Sequence, residues 1–134
     1  MSQPIIENSY LVEIPIGTPA VQKRINFQFV PQLEGAQIYG IASFSASQFV
    51  TSPNGLAVVS AAGLASCTAT LSVGDDEKIY IYPLADLNAL NTAGFIRVFN
   101  NLKINLTKSY ITLQSVAGLV ANDAILLNFI YRNK

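Results

Sequence analysis

Gln22-Lys23-Arg24-Ile25-Asn26-Phe27-Gln28-Phe29-Val30 alternates apolar and polar side chains, with Ile25, Phe27 and Phe29 on one side and Arg24, Asn26 and Gln28 on the other. A strict period of two belongs to a β-strand, whose successive side chains leave opposite faces, so this stretch reads as a strand with one face in a core and one in water. To its N-terminal side, Ser9 to Ile16 repeats the pattern: Leu11, Glu13 and Pro15 oppose Tyr10, Val12, Ile14 and Ile16. Pro15 has no N–H to donate, which places that strand at an edge or ends it there.

To the C-terminal side the same signature recurs between turn signals. Gln37 to Ala46 sets Ile38, Gly40, Ala42, Phe44 and Ala46 against Gln37, Tyr39, Ile41, Ser43 and Ser45, with apolar groups on both faces. Ser52-Pro53-Asn54-Gly55 is a turn, because Pro presets its own φ and Asn-Gly accepts positive φ, and Leu56 to Ser60 resumes extended structure. Ala65 to Val73 runs to a second turn at Gly74-Asp75-Asp76, after which Glu77 to Pro83 alternates Ile79 and Ile81 with Lys78, Tyr80 and Tyr82. Leu84, Leu87 and Leu90 recur at threes, a helical turn ended by Thr92-Ala93-Gly94. Phe95 to Phe99, Leu102 to Leu106 and Tyr110 to Gln114 read as three strands broken at Asn100-Asn101 and Thr107-Lys108-Ser109. Asp123 to Tyr131 closes the series, apolar on both faces except at Asn128, which calls for a covering layer on each side. Many short strands between turns define an all-β fold, an antiparallel β-sandwich that is jelly-roll-like, with one short helical turn near residues 84–91. Residues 1–134 form a single domain, with residues 1–9 as an extended arm.

Only 12% of the residues are charged, against about 25% in ordinary soluble domains. From Gly35 to Gly74 no side chain carries a charge, yet Ser, Thr, Gln and Asn lace the stretch, so it is no membrane span. Charge depletion marks surface destined for an interface. The formal net charge is zero, which removes the electrostatic footprint of a nucleic-acid or anionic-membrane binder. Met1 to Ser9 lacks the basic and apolar regions of a signal peptide.

Catalytic chemistry finds little to work with. The chain has no His, which excludes the commonest general base and any Ser-His or Cys-His pair. Of the eight carboxylates only Asp75, Asp76 and Glu77 cluster, at a turn and without the spaced oxygens of a calcium loop. The lone Cys67 lies in a small apolar run far from basic residues and reads as a buried, inert thiol. No catalytic, cofactor or metal residue is assigned, and the chain is expected not to be an enzyme. The residues expected at an interface or ligand contact are Tyr39, Tyr80, Tyr82, Tyr110 and Ile130, since amphipathic rings suit both subunit contacts and sugar faces.

Ile79-Tyr80-Ile81-Tyr82-Pro83-Leu84, followed by the doubly apolar strand from Asp123 to Tyr131 in a neutral chain without His or Trp, resembles the single jelly-roll subunits of viral capsids, including vertex and spike proteins of tailless phages. That resemblance implies a structural virion protein that self-associates into a cyclic trimer or pentamer and meets other virion proteins. The absence of a basic arm at Met1 to Ser9 argues against direct genome contact and for an outer or vertex position, or for a capsid whose genome lies behind another layer. Two other readings stand beside it: a carbohydrate- or receptor-binding module built on the tyrosines and amides, and a bacterial surface or fimbrial subunit completed by strand exchange, which Pro15 and the doubly apolar final strand permit.

Overall fold

A computed structural model describes residues 7–34, 36–74, 78–88 and 97–132. In chain order its elements are β1 (Glu7–Pro15), β2 (Arg24–Asn26), β3 (Gln37–Phe44), α1 (Ala61–Ala65), β4 (Cys67–Val73), β5 (Lys78–Pro83), a 3-10 turn (Leu84–Leu87), β6 (Arg97–Leu113) and β7 (Ala124–Arg132). The strands pair antiparallel in the order β1-β7-β3-β6-β4-β5, with β2 also on β6. The all-β antiparallel expectation is met, and the leucine repeat folds as the 3-10 turn, with Leu84 and Leu87 fully buried.

β6 holds the sheet together. Along one edge it carries β4; along the other it carries β3 at residues 97–103 and then β2 at residues 110–112. The chain therefore forms two rows, β1-β7-β3-β6 and β2-β6-β4-β5, which share one strand. The rows are joined at a bulge: Thr70 faces Tyr110 but Ser72 faces Asn105, so residues 106–109 stand opposite Leu71 alone. Buried Ser109 closes this gap, its hydroxyl donating to the Asn105 carbonyl at 2.8 Å and accepting the Ser72 N–H at 3.0 Å. A bulge of this kind bends a strand and sharpens its twist, which lets one strand serve both rows.

Between the rows lies a continuous apolar core. Val12 and Ile14 of β1, Ile125, Leu127 and Phe129 of β7, Ile38 and Ile41 of β3, Cys67, Ala69 and Leu71 of β4, and Ile111 and Leu113 of β6 all pack in it. Phe27, just beyond β2, meets Phe129 edge to face at a centroid distance of 6.4 Å, joining one row to the other. The second apolar face of β7 receives part of its cover from the same chain. Leu126 is fully buried between Glu13 and Phe44, while residues 45–58 cross beside it, with Phe49 edge-on to Phe44 at 4.9 Å and Ala124 bonded to Ala57 and Val59. Asn128 and Ile130, further along that face, remain half-buried.

Four details depart from the sequence reading. The strand expected over 22–30 pairs at Arg24–Asn26, and Phe27 makes the last bond, to Ser109; in the same register residues 28 and 29 would face residues 108 and 107, inside the bulge of β6. Phe29, expected on the core face, is 58% exposed. In β3 a register shift between Ile38 and Gly40 puts Ile38 and Ile41 on the same face, opposite Tyr131 and Phe129, where simple alternation had separated them. The breaks expected at Asn100-Asn101 and 107–109 do not end the strand: β6 runs from Arg97 to Leu113, and both places are register shifts within it, at residues 99–101 against β3 and at residues 106–109 against β4. The short helix α1 was not expected; Ser60 caps it by accepting the Gly63 N–H, and Ala61-Ala62 favours helix locally. The expected turn at Ser52-Pro53-Asn54-Gly55 is present, with Gly55 at φ +82. Residues 1–6 of the expected arm, the acidic residues 75–77 and residues 89–96 lie outside the described residues, while residues 7–9 belong to β1.

Removing the Ser109 hydroxyl strands two backbone groups. Ser109→Ala is therefore expected to cost about 1–3 kcal/mol, read as a lower urea midpoint by far-ultraviolet circular dichroism, and an unchanged midpoint would mean that water replaces the hydroxyl.

Candidate functional site

The hydrogen-bond alternation shows which strand edges are open. Phe27 donates to the Ser109 carbonyl and Leu113 donates to the Lys23 carbonyl, so residues 109, 111 and 113 of β6 turn their backbone groups to β2. Tyr110 and Thr112 then bond β4 at Thr70 and Thr68, and the Ser72 N–H points the same way, to Ser109. That leaves Ala69, Leu71 and Val73 for β5, where their partners are Tyr82, Tyr80 and Lys78. Ile79, Ile81 and Pro83 consequently present their backbone groups outward. Among the described residues no strand pairs with that edge.

The side chains of β5 are open as well. Ile79 is 58% exposed and Ile81 63%, on one face; Tyr80 is 37% exposed on the other, where its ring stacks on Tyr82 at 6.4 Å and 13°. Natural edges are guarded by charge, Pro or a cover. Here Lys78 and Pro83 guard the ends, and the middle of the strand is apolar on one face and aromatic on the other.

At the other end of the strand order, β1 is also an edge. Ile16 donates to the Asp123 carbonyl, so Ile14, Val12 and Tyr10 bond β7 while Leu11, Glu13 and Pro15 face outward. Pro15 thus occupies a position that needs no inward N–H. The same logic turns Asn26 and Gln28 away from β6. Between these two edges lies a groove of about 440 Å³, walled by Leu11, Glu13, Asn26 and Gln28 with Tyr10, Pro53 and Asn54. Asn54 anchors the 52–55 turn to the β1 side of it, donating its backbone N–H to the Glu13 carboxylate at 3.3 Å and its side-chain amide to the other carboxylate oxygen.

The five residues singled out in the sequence fall in three places. Tyr80 and Tyr82 are brought together on β5. Tyr39 lies at the bulge of β3 under the Arg132 guanidinium, 4.4 Å from its ring, and Tyr110 on β6 stacks with Arg24 at 4.5 Å. Ile130 is half-buried on β7. Tyr39 and Tyr110 are thus each held by an arginine of their own chain, leaving Tyr80-Tyr82 as the paired aromatic surface. Ile79 and Ile81 were not singled out, although their alternation with the tyrosines showed apolar groups on both faces. No three His, Cys, Asp or Glu side chains converge as metal ligands among the described residues. No protein-family model, curated protein or solved structure matches this chain.

Burial pushes the Cys67 thiol up to about 11. The native protein is expected to resist iodoacetamide at about pH 8 and to react with one equivalent in denaturant; rapid native alkylation would show that β4 opens readily. At Glu13 burial raises the carboxyl pKa, but hydrogen bonds from Ser52 and from the side chain and backbone of Asn54 outweigh it and hold it below the ordinary 4.5. A carboxylate held low in the folded state stabilises fully above its unfolded pKa of about 4.3 and loses that contribution as pH falls through the lower folded value. Urea midpoints are therefore expected to fall below about pH 4, and Glu13→Gln to flatten that part of the profile.

Proposed function

We propose that this chain is a structural virion subunit, a capsid, vertex or spike component, that acts by self-association. The observation that carries the reading is β5, an edge strand with exposed Ile79 and Ile81 on one face and, on the other, exposed Tyr80 stacked on half-buried Tyr82. Apolar surface on an open edge is a template for another chain. Its burial releases water from the isoleucines and bonds the outward N–H groups of β5, with no residue acting chemically.

The strand order supports a jelly-roll reading. Counting the two halves of β6 separately gives eight segments in rows 1-8-3-6 and 2-7-4-5, the interleaving of two Greek keys. The low charge also supports assembly, though part of it has a different cause: within the uncharged stretch, β3 and β4 are largely buried in the chain's own core.

Light scattering on the eluting peak of a size-exclusion column at micromolar concentration tests the proposal. A discrete multiple of 14.4 kDa is expected, and a peak with the mass of one chain would overturn it. A second reading, a carbohydrate- or receptor-binding module, draws on the β1–β2 groove, where Tyr10 and the amides of Asn26, Gln28 and Asn54 line a space of ligand size. A monomer that retains selected sugars on a glycan array, with retention lost in Asn26→Ala, would favour that reading.

A further inference from the structure

We propose that β5 is the contact strand of a two-fold dimer in which two copies pair antiparallel about Tyr80 and extend the β2-β6-β4-β5 row across both molecules. This rests on the self-association reading and names its surface.

The edge is complementary to itself. Its outward backbone groups belong to Ile79 and Ile81, so an antiparallel pair centred on Tyr80 bonds Ile79 to Ile81 of the partner subunit and Ile81 to the partner subunit's Ile79. On one face the four isoleucines then meet, each covering apolar surface that is more than half exposed in the single chain. On the other face Tyr80 lies against Tyr80 of the partner subunit, joining the stack that Tyr80 already makes with Tyr82. Lys78 falls opposite the partner's Tyr82, cation against ring, and no two like charges oppose. Pro83 lacks the N–H needed to prolong the ladder, so the pairing ends where the apolar run ends.

The other open edge fits less well. Pairing β5 with β1 of a second copy would match outward residues with outward residues and set the Glu13 carboxylate opposite an isoleucine. The β1 edge is also hemmed by Asn26, Gln28, Pro53 and Asn54, whereas among the described residues no strand lies beyond β5 and its Ile79, Tyr80 and Ile81 are exposed. Like on like at β5 gives an isologous contact with two-fold symmetry.

Cysteine cross-linking tests this on the full chain, since the native Cys67 is buried. Residues facing each other in a pair without mutual backbone bonds lie about 4.5 Å apart at Cα, within disulfide reach. Tyr80→Cys is therefore expected to give a covalent dimer on a non-reducing gel under mild oxidation. Tyr82→Cys is expected to stay uncrosslinked, because the same register separates the two positions 82 by roughly 14 Å. Ile79→Lys with Ile81→Lys sets lysines opposite lysines and is expected to abolish the Tyr80→Cys cross-link. If the unmodified protein assembles by light scattering but Tyr80→Cys does not cross-link, or Tyr82→Cys links equally, the two-fold β5 contact is overturned and self-association stands. If the unmodified protein is a single chain and Tyr80→Cys stays uncrosslinked, both fall.

Discussion

The bend of β6 at its bulge is the constraint on which the rest of the structure depends. One strand of an ordinary sheet has two edges and serves two neighbours; β6 serves three, because it gives one edge first to β3 and then to β2. Residues 106–109 make that possible, and buried Ser109 replaces the ladder bonds lost there with bonds from its own hydroxyl. Without the bend the two rows would lie side by side and leave Phe129, Leu127 and Ile111 facing water. With it Phe27 reaches Phe129 and a single core closes.

Closing the core this way decides where the molecule is open. A sheet that folds over on itself still ends in edge strands, and here these are β1 and β2, which flank one groove, and β5. The edges are treated differently. β1 looks into a groove shared with residues 26 and 28, where the Asn54–Glu13 contact holds the 52–55 turn against it, so its free backbone groups sit in a cleft of mixed polar and apolar lining. Among the described residues no strand covers the outer edge of β5, and its alternation places exposed isoleucines on one face and Tyr80, stacked on half-buried Tyr82, on the other. The chemistry this arrangement offers is recognition through main-chain bonds and apolar burial.

Much of the fold was legible in the sequence, because period-two alternation reports local geometry directly. Val12, Ile14 and Ile16 were placed together and are buried together, the Pro53-Asn54-Gly55 turn is where Pro and positive φ put it, and Leu84 and Leu87 mark the 3-10 turn. The misses share a cause. Phe29 alternates perfectly with its neighbours and is still exposed: the pairing with β6 stops at Phe27, and the residue that Phe29 would face lies inside the bulge. Ile41 joins Ile38 because a bulge, which has no reliable local signature, shifts the register between them. Of the candidate contact residues, Tyr80 and Tyr82 were found as a pair, while the arginines over Tyr39 and Tyr110 come from distant parts of the chain and only folding brings them there.

By itself, then, the amino-acid order determined where most of the extended segments lie, the turn at residues 52–55 and the buried faces of β1 and the 3-10 turn, since each of these depends on neighbours within a few residues. Only the tertiary structure decided which strands pair, which faces remain open and why the uncharged middle of the chain carries no charge. Those outcomes depend on the one edge of β6 that β2 and β3 must divide between them, and no local pattern records how a shared edge is apportioned.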